Sequence, residues 1–511
     1  MLAIVHACAV LGIEGVLVEV QVDFNPRAGI PSFTIVGLPD SAVRESRERV
    51  KAAIKNSGLQ FPMKSYVVNL SPADLPKHST AYDLAIAVGA LAATDQIPLT
   101  ALENALFVGE LSLDGRVRHV QGTMAMAYAA RQNGYDTVYV AAEDAAQAAF
   151  VEEIAVIPVA TLGQLVEHLY GLAPIPPYQR DALPLDAPPN YDDRVDFANI
   201  KGQHHVKRTL EIAAAGGHNV RMVGPPGAGK SLLAHAFPAI LPPLTFTEAF
   251  EVTRIYSVSD MLSAEQPLIT QRPFQSPHHT ISSAGLIGGG SIPRPGAVSL
   301  SHRGVLFLDE INEFPTRVLE LLRQPIEDKT VTISRARQTL TFPANFMLIA
   351  AHNPCPCGNY GDTARACTCT PNMIKRYQSK LSEPLLDRID IHVEVPRVEY
   401  DKLMDDSLAE PSAAVRERVI RARQVQTQRF ADDPHMFANG DITAGDIQRF
   451  CATTPDAKQV LELSVRRMQL SARSYHRVLK LSRTIADLAA CQQIEVPHVS
   501  EALQYRPTQQ L

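Results

Sequence analysis

The chain has 511 residues, 46% of them hydrophobic, and a formal net charge of −6. That much apolar sequence fills two or three cores, and the acidic balance excludes a global basic field, so any nucleic-acid contact must be a local patch. No apolar run is long enough to span a bilayer, and Cys8, Cys451 and Cys491 are scattered rather than framed as disulfides, so the expectation is a cytoplasmic, multidomain protein without membrane contact.

The first residues, MLAIVHACAVLGIEGVLVEVQVDF, lack a charged leader and a small-residue cleavage site, and their second half alternates like a strand rather than a signal peptide. Strand-like stretches such as YVVNL then mix with helix-like ones such as AYDLAIAVGALAA, giving an α+β domain over 1–170. Within it, LSPADLPKHSTAYDLAIAVGALAA and GELSLDGRVRHVQGTMAMAYAARQNGYDTVYVAAED resemble the proteolytic domain of Lon. On that resemblance Ser79 falls near the nucleophile, but the position of the activating lysine carries Met124. A serine without that base is a poor nucleophile, so the domain is read as a non-proteolytic scaffold for DNA, partner or ring contacts. The proline-rich, acidic and aperiodic stretch 171–193 reads as a linker.

Strand and helix signals alternate over 194–397, which predicts a parallel α/β core, and the periodicity is helical over 398–511. VRMVGPPGAGKSLLAHAF is a strand, a glycine-rich loop and a helix, in which Gly224, Pro225, Pro226, Gly227, Ala228, Gly229, Lys230 and Ser231 fit the G-x-x-x-x-G-K-[ST] phosphate loop. Its amides cradle the phosphates of ATP, Lys230 reaches the β and γ phosphates, and Ser231 ligates Mg²⁺. GVLFLDE is a buried strand ending in two carboxylates: Asp309 for the Mg²⁺ shell and Glu310 to orient or deprotonate the attacking water. NFMLIAAHNP is a third strand, ending at Asn353, whose amide can orient the water from the other side. EPLLDRIDIHVEV places Arg388 just before a further strand, where it resembles the arginine that neighbouring subunits insert into an ATP site.

Two stretches project from this core. SPHHTISSAGLIGGGSIPRPG, rich in Gly, Ser and Pro, reads as an exposed insertion. Its adjacent His278 and His279 should point apart on a regular element, which argues against a metal site. KTVTISRARQTLTFPA is expected to be a hairpin whose tip carries Arg335 and Arg337, a local patch for DNA phosphates. Between Asn353 and Arg388, Cys355, Cys357, Cys367 and Cys369 stand as two Cys-x-Cys pairs. A turn is required to bring each pair onto one ion, and Pro354, Pro356 and Gly358 supply it. Four thiolates favour a structural Zn²⁺, with free thiols and an iron–sulfur cluster as alternatives. Because the phosphate loop follows a different strand, this loop is expected to leave nucleotide binding untouched.

The phosphate loop, the acidic strand, Asn353 and LLDRID together resemble an AAA+ ATPase. RPFQSPHHTISSAGLIGGGSIPRPGAVSLSHRGVLFLDE, the Cys-rich segment and FTIVGLPDSAVRESRERVKAAI resemble the magnesium-chelatase-like ComM/YifB family over nearly the whole chain. LSEPLLDRID departs from the pattern by carrying Glu383 where Gly is expected. The resemblance implies a homo-oligomeric ring, hexameric, that acts on single-stranded or branched DNA as a branch-migration helicase in natural transformation. It also implies that a helix-2 insertion faces the ring channel, and that Arg473, with Arg477 as the alternative, is a sensor arginine of the helical lid. The competing implication is a chelatase-type motor subunit that drives metal insertion.

Overall fold

The alternating apolar residues at the start of the chain fold as two long strands whose inward faces, Val5, Ala7, Val18, Val20 and Val22, are buried. A computed structural model describes residues 1–506 except 76, 78, 181–194, 263–265, 291–292, 336–337, 363–364, 399–408 and 434–435, and it leaves the side chains of Arg335 and Gln338 undescribed. The chain divides into two units: Met1–Pro184 with Phe246–Ile269, and Leu185–Thr245 with Thr270–Leu511.

The first unit is built on β1 (Leu2–Leu11), β2 (Glu14–Asn25), β3 (Ser32–Val36), β4 (Ser65–Ser71), β5 (Ala105–Phe107), a small ribbon of β6 (Glu110–Leu111) and β7 (Val117–Arg118), β8 (Thr137–Ala141) and β9 (Ala155–Val159). Its seven-stranded sheet runs β3-β4-β2-β1-β5-β8-β9 and is mixed. β1, β2 and β4 pair antiparallel; β5, β8 and β9 pair parallel. Asp83–Ala93 is a helix buried at every position, as expected of a helix apolar on all sides.

The helix Phe246–Val258 packs within this first unit, although its sequence lies inside the nucleotide-binding region. Arg254 lies over the Tyr128 ring and pairs with Glu14 at 2.8 Å, and the Ser257 hydroxyl donates to Gln147 at 2.9 Å. Neither the apolar periodicity nor the motif spacing marks this exchange, because the contacts that create it are long-range.

The second unit carries β10 (Val220–Val223), β11 (Phe274–Gln275), a ribbon of β12 (Gly288–Gly289) and β13 (Arg294–Pro295), β14 (Val305–Leu308), a hairpin of β15 (Thr330–Arg335) and β16 (Gln338–Pro343), β17 (Met347–His352) and β18 (Ile391–Glu394). The main sheet is parallel throughout, in the order β11-β14-β17-β10-β18. β14 and β17 are buried along their whole length, as continuous apolar strands covered on both faces should be. The chain leaves β10 for the far edge, returns through β14 and β17, and crosses to the other side of β10 only at β18. That reversal makes a switch point at the carboxyl end of β10, where open parallel sheets bind ligands. The C-terminal region is helical, with Ser412–Arg429, Pro455–Met468, Ala472–Leu488 and Val496–Gln504. No helix among the described residues is long and apolar enough to cross a membrane.

The insertion is more ordered than its composition predicts, holding the short helix Ser283–Ile287 and the β12–β13 ribbon. His278 and His279 also differ from expectation. They sit in a loop rather than on a regular element, so alternation does not apply, and their rings lie 4.0 Å apart.

Candidate nucleotide site

The phosphate loop follows β10 at the switch point. Gly227 and Gly229 have φ of +77° and +89°, a region costly for residues with a Cβ. Gly224 is required for a different reason: a Cβ there would lie 2.1 Å from the Val395 carbonyl oxygen just after β18. Lys230 opens the next helix and is 8% exposed, with its Nζ donating to the carbonyls of Gly224 at 2.7 Å and Pro225 at 3.0 Å, and to Asn353 Oδ1 at 3.1 Å. Burial pulls the Lys230 ammonium below its ordinary value, against the opposing pull of Asp309 and Glu310. A phosphate oxygen would replace neutral carbonyl acceptors with a charged one, a stronger partner for a desolvated ammonium.

The acidic strand meets the loop as expected. The Ser231 hydroxyl donates to Asp309 Oδ2 at 2.6 Å, so the two oxygens that would hold Mg²⁺ already converge, and the donor set fits that ion. Glu310 has φ +49°, a left-handed conformation uncommon for a side-chain-bearing residue, and it is exposed beside the loop. Asn353 closes the far side through Lys230.

Three residues of this site carry no motif of their own. Gln203, at φ +56°, donates to the carbonyls of Ala228 at 3.3 Å and Pro396 at 2.6 Å, tying the loop to the exit of β18. Arg221 on β10 donates through Nε to His352 Nε2 on β17 at 2.8 Å. Burial, with the Arg221 charge adding to it, lowers His352 to about 3, so the ring stays neutral and accepts. Such cross-strand partners become visible only once the strand order is known.

Arg388 belongs to the opposite end of the sheet. Its carbonyl accepts from Asn219 Nδ2 at 3.2 Å, at the amino end of β10, whereas the phosphate loop leaves the carboxyl end. Four residues of strand separate these ends, about 13 Å at ~3.3 Å per residue. The Arg388 guanidinium donates to the Arg323 and Pro384 carbonyls, at 3.1 and 2.6 Å, and pairs with Glu327. Arg473 reaches the same carboxylate at 3.7 Å and is 60% exposed. Arg477 is 14% exposed and 3.4 Å from Asp390. Burial alone would raise the Asp390 carboxyl, but His218, Arg477 and Lys480 together hold it below the usual carboxylate range. Arg473 and Arg388 thus share one surface carboxylate, while Arg477 is committed to an internal ion pair.

The four cysteines converge. Sγ separations are 3.4 Å for Cys355–Cys357, 3.7 Å for Cys355–Cys367 and 3.6 Å for Cys357–Cys367, and all four sulfurs lie within 4.8 Å of one another. This cluster can hold a metal ion. The loop adjoins the phosphate loop although it follows a different strand: Gly358, at φ +81°, lies so close that a Cβ on it would be 2.4 Å from Pro226 Cδ. Separate strands end at the same sheet edge, and the loops after β10 and β17 meet there. The basic hairpin forms with Arg335 opposite Gln338, but Arg337 and the side chain of Arg335 lie outside the described residues.

Comparison with known proteins agrees with this architecture. The family model "Magnesium chelatase, subunit ChlI" matches residues 196–403, "Subunit ChlI of Mg-chelatase" matches 18–144, and "Magnesium chelatase, subunit ChlI C-terminal" matches 409–506. The chain is 40% identical over 510 residues to "Competence protein ComM" of Haemophilus influenzae, covering 99% of this chain and 97% of that protein. It is 39% identical over 515 residues to YifB of Escherichia coli, covering 100% and 98%. To the magnesium-chelatase 38 kDa subunit of Rhodobacter capsulatus it is 25% identical over 237 residues, 43% of this chain and 63% of that one.

Proposed function

Because the chain belongs to the ComM/YifB family of magnesium-chelatase-like AAA+ proteins, for which ATP and Mg²⁺ are implied, we propose that it is a ring-forming ATP-driven motor that promotes DNA branch migration in natural transformation. The observation that carries the ring is the separation of the catalytic parts. Lys230, Ser231, Asp309, Glu310 and Asn353 serve one end of the sheet, and Arg388 with Arg473 serves the other. A subunit so built presents its arginines to a neighbour's nucleotide, and a closed ring, hexameric in this reading, satisfies every site at once.

In this mechanism the loop amides and Lys230 hold the β and γ phosphates, and Glu310 takes the proton of the attacking water while Asn353 orients it. Ser231 and Asp309 would hold Mg²⁺, which would neutralise phosphate charge. Arg388 and Arg473 from the adjacent subunit stabilise charge on the transferred group, a contribution of ~10³–10⁵ in rate for arginine fingers. DNA is contacted by Arg335 and Arg337 at the hairpin tip. Cys355, Cys357, Cys367 and Cys369 would hold a structural Zn²⁺. The N-terminal unit is a non-proteolytic Lon-like scaffold, a reading supported by the complete burial of Met124 and by Ser79 Oγ acting as a helix cap toward Ala81 N at 3.1 Å. The competence-related name of a full-length relative favours DNA as the substrate. The chelatase alternative rests on the chelatase names of the matching family models and on a chelatase subunit 25% identical over 43% of this chain.

The test is a pair of variants. Lys230→Ala abolishes nucleotide binding or turnover, whereas Glu310→Gln binds ATP, fails to hydrolyse it and accumulates assembled rings in native mass measurements. Wild-type turnover in Glu310→Gln contradicts the assignment of Glu310.

A further inference from the structure

The segment from Asn353 to Thr370 has no regular secondary structure among its described residues, and ordering a backbone of that kind costs conformational entropy at every residue. A tetrahedral ion with metal–sulfur bonds of ~2.3 Å sets sulfur–sulfur edges at about 3.8 Å. The separations among Cys355, Cys357 and Cys367, 3.4–3.7 Å, are close to that edge, and the Cys369 sulfur lies within 4.8 Å of them. A multi-iron cluster places its thiolates on different irons, so its sulfurs stand farther apart than one shared-ion edge. Cys355 is fully buried and accepts from the Tyr360 amide at 3.3 Å, while the Gly358 amide donates to the Cys355 carbonyl at 2.9 Å. That glycine turn directs Cys355 and Cys357 to the same point.

The outer side of the turn is the phosphate loop. A Cβ on Gly358 would lie 2.4 and 2.6 Å from Cδ and Cγ of Pro226. The same segment touches the nucleotide site once more and also reaches the exit of β18. It starts at Asn353, the acceptor for Lys230, and its Asp362 accepts from Arg397 Nε at 2.7 Å, two residues beyond the Val395 carbonyl that crowds Gly224.

We propose that the four-cysteine metal site is an allosteric part of the nucleotide site: metal held by Cys355, Cys357, Cys367 and Cys369 fixes the Gly358 turn against Pro226, and loss of the metal lowers nucleotide affinity. The proposal rests on reading the cluster as a Zn²⁺ site. Because metal binding supplies the ordering free energy of the loop, coupling follows wherever the ordered loop supports a second site. Coupling of this type is typically ~5–150-fold in affinity, and it is reciprocal, so bound nucleotide slows metal loss.

The test uses the full chain purified without oxygen. Metal per chain is measured by elemental analysis, and the dissociation constant of a fluorescent ATP analogue is measured with Mg²⁺ present. As purified, about one zinc per chain is expected. Chelation under mild acid, followed by return to neutral pH, should raise the nucleotide dissociation constant at least fivefold, and Zn²⁺ alone should restore it. Gly358→Ala is the second arm. Its nucleotide affinity should fall at least fivefold, because the new Cβ must displace either Pro226 or the turn that aims Cys355 and Cys357. Unchanged affinity in the metal-free protein, or wild-type affinity in Gly358→Ala with zinc retained, overturns the coupling while leaving the metal site standing. Protein that neither carries zinc nor takes it up overturns the metal site itself, and iron in its place overturns its identity.

Discussion

Replacing Arg388 with alanine separates a catalytic arginine from a structural one. The side chain makes two hydrogen bonds to the carbonyls of Arg323 and Pro384 and one ion pair with the half-exposed Glu327. An ion pair of that exposure contributes ~0.2–1 kcal/mol, and the two carbonyls lose donors at about 1 kcal/mol each before water replaces them. The structural cost is therefore about 1–3 kcal/mol, which lowers the melting temperature by several degrees and leaves the protein folded at 25 °C. The catalytic loss is larger. An arginine supplied in trans is worth ~10³–10⁵ in turnover, or about 4–7 kcal/mol of barrier. Steady-state ATPase, a thermal melt and nucleotide binding on one preparation separate the two effects. Turnover should fall by about three orders of magnitude or more with ATP affinity retained, and mixing Arg388→Ala with Lys230→Ala subunits should recover part of it at interfaces that pair an intact loop with an intact arginine. Loss of ATP affinity in a dilute monomer, or a drop in turnover no greater than the unfolded fraction, refutes the assignment.

Arg473→Ala should also reduce turnover without reducing ATP affinity, whereas Arg477→Ala should chiefly lower the melting temperature because it strips the partly buried Asp390 of a partner; the reverse pattern would exchange the two roles. Arg335→Ala with Arg337→Ala should weaken DNA binding and reduce its salt slope by up to about one unit per lost phosphate contact, with ATPase in the absence of DNA unchanged. An unchanged slope moves the DNA site elsewhere. The hydrogen bond to Asp144, with Asp260 adding, holds His119 above its ordinary value, at about 9, despite opposing burial. The raised value means that this stabilisation is complete below about pH 6.5 and fades as pH rises through 9. The melting temperature of the wild type should therefore converge on that of His119→Ala over that window, and parallel curves would remove the contribution.

The nucleotide site was largely legible in the sequence because its parts are local. Gly224–Ser231, Asp309–Glu310 and Asn353 each follow an apolar strand, and parallel strands bring their carboxyl ends together whatever the intervening lengths. The remainder depends on which strands are neighbours. Gln203, Arg221 and His352 act only across β10, β17 and β18, and no spacing along the chain reports that. The cysteines were recognisable as a cluster, but their contact with Pro226 was not, since it joins loops from different strands. That Arg473 pairs with Glu327 and Arg477 with Asp390, although the two lie four apart on one helix, was not legible, because both carboxylates lie far away in sequence. The packing of Phe246–Val258 in the first unit was equally out of reach, because Arg254 finds Tyr128 and Glu14 only in the folded chain.

The central claim, an ATPase motor that works on DNA, is tested most directly by the rate of ATP hydrolysis with and without single-stranded or branched DNA, with Glu310→Gln as the background control. The account predicts that DNA raises turnover of the wild-type protein severalfold and that the increase is lost in Arg335→Ala/Arg337→Ala. A rate that does not respond to any DNA, from a protein that binds and hydrolyses ATP normally, would contradict it.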